Sequence, residues 1–134
     1  MSLVLDAPVL FTWYLSDPAE SDFEGLMEAI TTQPCIVPQN WWFEIRNMLL
    51  EAETAHRIEP SETAGILADL SALPLESDRC VQSDVCMALA RKHQISASEA
   101  TYLELATRTG SNLVSRSPPL LQAAREEGVR TLFT

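Results

Sequence analysis

The sequence predicts an α/β fold with a small and mostly parallel central sheet flanked by helices. Short apolar runs rich in leucine and β-branched residues alternate with longer helical segments, and this alternation is typical of parallel strands joined by helices. The 134 residues fit a single domain spanning 1–134, and 46% of them are apolar, which is enough for a real core. With only four glycines, the chain is expected to be rich in regular structure rather than disordered.

The first half of the chain contains two predicted strands and three predicted helices. They are a strand at Leu3–Leu5, helices at Pro8–Leu15 and Pro18–Thr32, a strand at Cys35–Val37 and a helix at Gln39–Thr54. Pro8 and Pro18 each fall in a first helical turn, where the missing N–H costs nothing, and Asp17 is a favoured N-cap. Pro38 closes the second strand, and the long helix after it has apolar residues at helical spacing.

The second half continues the alternation. Its predicted elements are a helix from Pro60 to Leu73, a brief strand at Leu75–Glu76, helices at Asp84–Lys92 and Ala97–Thr109, a strand at Asn112–Ser115, a helix at Pro118–Glu127 and an edge strand at Thr131–Phe133. Ser96 and Glu99 match a capping box at a helix start. Gly110 and Gly128 are each expected to end a helix, because glycine favours the left-handed conformation found there.

Charge is distributed unevenly along the chain. Residues 1–78 hold fourteen acids against Arg46 and Arg57, whereas residues 79–134 hold five acids against seven lysines and arginines. An overall charge of −10 disfavours non-specific nucleic-acid binding, because phosphate affinity comes largely from cations. Acidic charge instead suits a metal ion or a basic partner segment.

Other patterns narrow the class of protein. No run approaches the length of a membrane span, and the N-terminus lacks the basic start and cleavage site of a signal peptide, so we expect a cytoplasmic protein with no membrane association. Cys35, Cys80 and Cys86 lack metal-binding spacing and fit reduced thiols. His56 and His93 lie in polar stretches and are expected at the surface.

Asp6 is the first candidate site residue. It closes the apolar run Leu3–Leu5, and in open α/β sheets ligands bind at the carboxyl ends of the strands. Two more acids, Glu44 and Glu99, lie in or at the start of later helices. If the three carboxylates converge, they form a cage for a hard divalent cation. The alternative for Asp6 is an N-cap of the helix beginning at Ala7, a role compatible with metal binding.

Glu44 follows three bulky aromatic residues, Trp41-Trp42-Phe43, so its helical turn is expected to be at least partly buried. A carboxylate beside this much apolar surface is costly unless it is paired or bound to a metal. Asn47, three residues on, shares its polar stripe. The alternative is a glutamate at the rim, paired with Arg46 or Arg57.

Glu99 and Ser117 both lie at predicted helix starts. The capping box fully explains Glu99 and Ser96, yet a helix N-terminus is also a place where anions and their ligands gather. Ser117 precedes Pro118 as an N-cap, and a neutral serine is only a weak metal ligand. A plain cap is therefore the favoured interpretation of Ser117.

Taken together, these motifs resemble a known family. The segments that carry the resemblance are Val4–Ala7, Val37–Pro38, Trp42–Asn47, Ser96–Ala106, Leu113–Leu120 and Ala123–Val129. In order and spacing they resemble a PIN domain of the VapC toxin type, over essentially the whole chain. The spacing from Glu44 to Asn47 and the helix Ala100–Ala106 are fairly specific in combination.

The resemblance implies a PIN-like three-layer sandwich and a Mg²⁺- or Mn²⁺-dependent endoribonuclease, which is a hydrolase. Such proteins are the toxin components of toxin–antitoxin pairs. They are usually dimeric and are encoded beside an antitoxin protein that blocks the site. Three or four acids surround their metal ion.

The resemblance also implies roles for individual residues. Asp6 and Glu99 would bind the metal, Glu44 would complete the catalytic acids, and Asn47 and Ser117 would support them. Glu99 and Ser117 stand where the family normally has aspartate. A longer ligand shifts the ion and a lost charge weakens its binding, so we expect reduced activity.

The leading hypothesis is therefore metal-dependent cleavage of RNA, with Arg46 or Arg116 holding substrate phosphate. An alternative is a catalytically inactive PIN-like module that only binds its partner or RNA. A third is a small α/β protein whose acids are merely caps and rim charges. Aromatic residues in Trp13-Tyr14 and Trp41-Trp42-Phe43 are expected to be exposed and to form a homodimer interface.

Overall fold

The computed structural model describes residues 1–9 and 23–133, and it confirms the predicted α/β architecture. The described part of the chain contains four strands in one sheet: β1 (Leu3–Leu5), β2 (Cys35–Pro38), β3 (Leu75–Asp78) and β4 (Asn112–Val114). The strand order is β3-β2-β1-β4, and every neighbouring pair is parallel. The sheet and the helices that flank it form a three-layer sandwich.

The helices are as long as predicted to within two residues wherever both ends are described. They are α1 (Phe23–Thr32), α2 (Trp41–Thr54), α3 (Pro60–Ser71), α4 (Ser83–His93), α5 (Ala97–Thr109) and α6 (Pro118–Glu126). Residues 7–9 are also helical. The rest of the predicted helix at Pro8–Leu15, the helix start at Asp17–Glu20 and the aromatic pair Trp13-Tyr14 lie outside the described residues.

The register of the sheet brings the ends of β1 and β4 together. Leu3 pairs with Asn112 and Leu5 pairs with Val114, while Leu3 also pairs with Cys35 of β2. Parallel strands in register end at the same edge, so the next residues, Asp6 and Ser115, are neighbours there. The backbone N–H of Asp6 donates to the carbonyl of Val114 at 3.1 Å and extends the pairing by one residue.

The core is formed around β1 and β4, whose residues are all buried, as expected of central strands in a parallel sheet. Trp41, at the start of α2, is also fully buried, and its indole Nε1 donates to the carbonyl of Leu5 at 3.1 Å. This contact fixes α2 against the end of β1. The expectation of an exposed aromatic cluster is therefore wrong for Trp41; Trp42 is half-buried, and Phe43 is 65% exposed.

The predicted edge strand at Thr131–Phe133 is wrong. Thr131 makes an isolated parallel bridge with Leu113, and the backbone of Leu132 donates to the Leu113 carbonyl at 3.0 Å. Phe133 has a φ of 58°, in the left-handed region, which ends the extended conformation before a ladder can form. An apolar, β-branched pattern predicts the tendency to pair but cannot predict where the chain turns away.

The expectation of a surface position is also wrong for His93. Its side chain is only 3% exposed and lies between Glu126 (Nδ1 to Oε2, 3.0 Å) and Glu127 (Nε2 to Oε2, 2.9 Å). Lys92 also contacts Glu127, at 2.6 Å. We call these four residues the histidine cluster; it ties the end of α4 to the end of α6. The polar sequence around His93 predicts exposure, but it does not indicate that the carboxylates of Glu126 and Glu127 cover the side chain.

A second group of paired charges links α5 to β3. The Nε atom of Arg108 donates to Oε1 of Glu104 at 2.6 Å, and its Nη2 atom donates to Oδ2 of Asp78 at 2.6 Å. The residue Glu104 is 3% exposed. We call these three residues the arginine cluster.

No helix in the described ranges is long and apolar enough to cross a membrane.

Candidate functional site

A cavity of about 450 Å³ opens at the carboxyl edge of the sheet. Its lining residues come from the end of β1, from α2 and from the starts of α5 and α6: Asp6, Pro8, Glu44, Asn47, Met48, Ser96, Ser98, Glu99, Tyr102 and Ser117. We call it the acidic cleft. It contains every predicted catalytic, metal-binding and supporting residue, so the structure brings those residues together on one side of the sheet.

Asp6 is the most deeply buried acid of the cleft, at 3% exposure. Its Oδ1 atom accepts the backbone N–H of Val9 at 2.9 Å, which is an N-cap bond for the helical turn at residues 7–9. Its Oδ2 atom accepts the hydroxyl of Ser115 at 2.6 Å. Asp6 therefore acts as an N-cap, the alternative role that its sequence position suggested. It also lines the acidic cleft, so the two roles are compatible.

Burial raises the pKa of Asp6 to about 6, because a buried carboxylate loses its hydration. The hydrogen bonds from Ser115 and Val9 act in the opposite direction. The negative charges of Glu44 and Glu99 raise the pKa of Asp6 further, as expected of three acids that face one cavity. The cleft therefore makes its deepest acid reluctant to ionise.

Glu44 accepts three hydrogen bonds, all from neutral groups. Asn40 Nδ2 donates to Oε1 at 2.9 Å, the hydroxyl of Ser98 also donates to Oε1, and the hydroxyl of Tyr102 donates to Oε2 at 2.6 Å. These partners replace the predicted alternative, a pairing with Arg46 or Arg57. Glu44 is thus a half-buried acid that is held in place without a cation.

Tyr102 is a buried member of the site that our sequence reasoning missed. Its hydroxyl accepts the backbone N–H of Ala7 at 3.2 Å and donates to Glu44, so it links the end of β1 to α2. Burial, followed by the charge of Glu44, raises the pKa of Tyr102 well above its usual value, which keeps the hydroxyl protonated. The spacing held a signal: Ser98 and Tyr102 are four residues apart on α5 and share a face with Glu99.

Glu99 performs its predicted capping role and faces the cleft as well. Its Oε1 atom accepts the backbone N–H of Ser96 at 3.1 Å, and its backbone N–H donates to the Ser96 hydroxyl at 3.1 Å, which completes the capping box. Its Oε2 atom accepts the hydroxyl of Ser117 at 2.5 Å. Partial burial opposes ionisation, but the hydrogen bonds from Ser117 and Ser96 outweigh it and lower the pKa of Glu99.

Ser117 differs from the expectation of a plain helix cap. It lies at the N-cap position of α6, but its side chain makes no capping hydrogen bond and is directed to Glu99 instead. Its backbone N–H donates to the hydroxyl of Ser115 at 3.1 Å, and Ser115 in turn donates to Asp6. A chain of serine contacts therefore joins Asp6 to Glu99.

The described lining of the cleft contains no lysine or arginine. The guanidinium of Arg46 lies 5.3 Å from the centroid of the Phe43 ring and lines a separate cavity between α2 and α3. Arg116 is exposed and lies between two site serines, outside the lining of the cleft. Arg46 therefore lies outside the cleft that contains the acids, because positions two residues apart on a helix point to different faces.

The donor set suits a hard divalent cation, although it does not form a closed cage. Carboxylate and hydroxyl oxygens are the ligands that Mg²⁺ and Mn²⁺ prefer, and three carboxylates line this one cavity. Among the described residues, no three acidic, histidine or cysteine side chains are close enough to hold an ion together. The site therefore fits an ion bound by one or two carboxylates and completed by water.

Comparisons with known proteins support the fold alone. The structure is similar to the crystal structure of PAE2754 from Pyrobaculum aerophilum, with a TM-score of 0.71 and 18% sequence identity; the match covers 92% of this chain and 79% of that one. No protein-family model matches the chain, and no curated protein matches its sequence. The three-layer arrangement is thus shared with a solved structure, and the function rests on the acidic cleft.

Proposed function

We propose that the chain is a metal-dependent endoribonuclease of reduced activity, the toxin component of a cytoplasmic toxin–antitoxin pair. The observation that carries this proposal is the acidic cleft, in which Asp6, Glu44 and Glu99 line one cavity and receive hydrogen bonds from neutral groups. Asp6 is a buried carboxylate that contacts no cation among the described residues, and its burial raises its pKa, so its negative charge opposes folding. A divalent cation relieves that cost, so the arrangement favours a metal site over a purely structural role.

Asp6 and Glu99 are the proposed ligands of Mg²⁺ or Mn²⁺, and Glu44 is the third acid. The serine contacts between Asp6 and Glu99 support this pairing, since they hold both carboxylates toward the cleft. A bound divalent ion makes water a better nucleophile and stabilises charge that develops on a phosphate. The first of these effects requires a group that takes or orients the proton of water.

Asp6 controls the charge of the proposed site. Since its pKa is raised to about 6, Asp6 holds a proton in mildly acidic solution and loses it near neutral pH. Only the ionised carboxylate binds a cation well. We therefore expect metal binding to release a proton in mildly acidic solution and to weaken as the pH falls through about 6.

Glu44 is the proposed group that orients or deprotonates water. The Tyr102 hydroxyl holds one of its oxygens, while Asn40 and Ser98 share the other. To accept a proton, Glu44 must release one of these donors, and the exchangeable ones are the half-buried Asn40 and Ser98. The buried Tyr102 remains as the fixed positioning residue.

Glu99 and Ser117 account for the reduced activity in this proposal. Glu99 is held by its own helix cap, and Ser117 supplies a hydroxyl where a carboxylate would add a charge. Mg²⁺ demands near-ideal octahedral geometry, and a misplacement of about 1 Å can lower a rate by about 10²-fold.

The test is a fluorogenic assay of single-stranded RNA cleavage in Mn²⁺, together with calorimetric metal titration. We expect slow cleavage by the wild type and none by Asp6→Asn. The double substitution Glu99→Asp with Ser117→Asp should tighten metal binding and raise the rate, with Ser117→Asn as the neutral control. Absence of metal binding in all of these proteins would contradict the proposal and leave the acids as caps.

A second candidate is a catalytically inactive module that only binds its partner or RNA. The observation that favours it is that the three acids already receive hydrogen bonds from serine, tyrosine and backbone groups. In this case the cleft binds metal but does not turn over. Metal binding without cleavage, even after both aspartates are introduced, would select this candidate.

The proposal includes a homodimer and an antitoxin partner. Phe43 is 65% exposed and Leu50 is 59% exposed, both on α2. A cavity of about 240 Å³ lies beside Leu50 and is also lined by Leu49 and Leu67. Exposed apolar surface of this kind supports a protein interface. Light scattering at micromolar concentration tests self-association, and a monomer would count against the homodimer.

A further inference from the structure

A second cavity, of about 470 Å³, adjoins the acidic cleft. Pro8 and Met48 line both cavities, so the two cavities lie side by side at these side chains. The other described residues that line the second cavity are Glu51, Ala52, Ala55 and Arg57. We call it the Arg57 cavity. The acidic cleft and the Arg57 cavity together form a groove beside α2. The Arg57 cavity is the part of this groove that lies farther from the acids and nearer the C-terminal end of the helix.

The end of α2 fixes the position of Arg57. His56 has a φ of 57°, in the left-handed region, and the backbone N–H of Arg57 donates to the carbonyl of Ala52 at 2.9 Å. These features turn the chain back on the helix end, and Arg57 is exposed there. From Met48 to Ala55 the helix rises by about 10 Å, which is about three nucleotides at a stacked spacing of about 3.4 Å.

The distribution of charge makes Arg57 distinctive. Residues 1–78 contain two cations in sequence, Arg46 and Arg57. Arg46 lies over the ring of Phe43 and lines another cavity. Arg57 is the one lysine or arginine among the described residues that line the acidic cleft and the Arg57 cavity. An anionic strand that enters the groove therefore meets positive charge at the far end from the acids.

The chemistry of the walls fits a nucleotide. Pro8, Met48, Ala52 and Ala55 supply apolar surface for a base or sugar face, and the carboxylate of Glu51 can accept a hydrogen bond from a base amino group or a sugar hydroxyl. The same carboxylate repels phosphate, which places the phosphate on the Arg57 side of the cavity. A single cation in an acidic protein neutralises too few phosphates to bind a duplex tightly, so single-stranded RNA fits this cavity better.

We propose that the Arg57 cavity binds the nucleotides that flank the cleaved bond in single-stranded RNA, with Arg57 holding one of their phosphates. This inference rests on the proposed ribonuclease function and adds to it a positioning residue and a direction for the strand. The strand runs from the acids, past Pro8 and Met48, to the end of α2. Arg57 acts on substrate binding, and the acids act on the chemical step.

The experiment compares Arg57→Gln with Arg46→Gln, which removes the same charge from the same helix region. The first readout is fluorescence anisotropy of a labelled single-stranded RNA in Mn²⁺, measured across a range of salt concentrations. Loss of one phosphate contact lowers the slope of log affinity against log salt by about 0.7. We expect that change and a several-fold weaker affinity for Arg57→Gln, with the wild-type slope for Arg46→Gln.

The second readout is RNA cleavage, in which Arg57→Gln should raise KM with little change in kcat. Equal slopes and affinities for the two variants would overturn the inference, and so would a wild type that binds no RNA. The proposed function fails separately, if the wild type binds RNA but neither binds Mn²⁺ nor cleaves. A loss of binding by Arg57→Gln toward a polyglutamate peptide, but not toward RNA, would assign the cavity to an acidic protein partner and overturn the inference.

Discussion

The acidic cleft and the arginine cluster each contain a buried carboxylate, but the partners of the two carboxylates differ in charge. Asp6 and Glu104 are equally buried, each at 3% exposure. Glu104 contacts the guanidinium of Arg108, which also contacts Asp78. Asp6 receives hydrogen bonds from Ser115 and from a backbone N–H. Neutral donors satisfy the oxygens of Asp6 without cancelling its charge, and burial outweighs them and raises the pKa of Asp6 to about 6.

The difference separates structural acids from a candidate functional acid. When a carboxylate is paired with a cation, its charge is already compensated within the folded chain. Removing either partner then leaves a buried charge uncompensated. A carboxylate held only by neutral donors is oriented but still lacks a counter-charge. In the cleft, the buried charge of Asp6 therefore has no compensating cation among the described residues, whereas both acids of the arginine cluster contact Arg108. This contrast predicts opposite effects of substitution in the two regions.

The largest expected effect comes from breaking the arginine cluster. Arg108→Gln leaves the buried Glu104 beside Asp78 without a cation, and we expect a loss of about 2–4 kcal/mol in the free energy of unfolding. Chemical denaturation at neutral pH measures it. Arg125→Gln, which removes an exposed arginine from α6, is the control and should change stability little. Equal stabilities of these two variants would show that the arginine cluster contributes nothing.

Neutralising the cleft should have the opposite sign. In the absence of metal, Asp6→Asn removes a charge whose pKa is raised from 3.8 to about 6, and we expect a gain of about 1–3 kcal/mol above pH 7. Between these two pKa values the folded state binds more protons than the unfolded state, so this contribution to wild-type stability falls as the pH rises.

Denaturation of both proteins at pH 4 and pH 8 isolates the contribution of Asp6 from those of other groups. The gain from Asp6→Asn should be small at pH 4 and full at pH 8. An Asp6→Asn protein that is less stable than the wild type at pH 8 would indicate that the cap and serine contacts of Asp6 outweigh the cost of its burial.

The third prediction adds charge to the cleft. Ser117→Asp places a second carboxylate against Glu99, whose Oε2 atom lies 2.5 Å from the Ser117 hydroxyl. We expect a loss of about 1–2 kcal/mol without metal, of the size typical for an uncompensated charge that is only partly buried. Mn²⁺ should restore the stability. Ser117→Asn, which adds no charge, should not respond to Mn²⁺ more than the wild type does.

The smallest effect is expected in the histidine cluster. His93→Gln keeps a polar group between α4 and α6 but loses the two-sided contact with Glu126 and Glu127. We expect a loss of about 1 kcal/mol at neutral pH, because both carboxylates remain accessible to water. His56→Gln, at an exposed position, is the matched control. A loss larger than that of Arg108→Gln would reverse the ranking of the two paired clusters.

The elements of this fold were predictable because their signals are local. The apolar strand before Asp6, the capping box at Ser96 and the glycine after α5 each determine structure within a few residues. The convergence of Asp6 with Glu99 was predictable for another reason: strand ends and helix starts meet at one edge of a parallel sheet.

The hydrogen-bond partners could not be predicted in the same way. Tyr102 lies 58 positions from Glu44, and Ser115 lies 109 positions from Asp6, so only the packed fold brings them together. His93 was misplaced for the same reason, since Glu126 and Glu127 cover it from another helix.

The most direct test of the central claim is thermal unfolding of the wild type and Asp6→Asn at pH 8, each with and without Mn²⁺. We expect Asp6→Asn to be the more stable protein without metal, and we expect Mn²⁺ to raise the Tm of the wild type but not that of Asp6→Asn. A hundredfold excess of metal over its Kd would add about 2.7 kcal/mol to the wild type. A wild type whose Tm does not respond to Mn²⁺, or an Asp6→Asn protein that responds equally, would contradict the account.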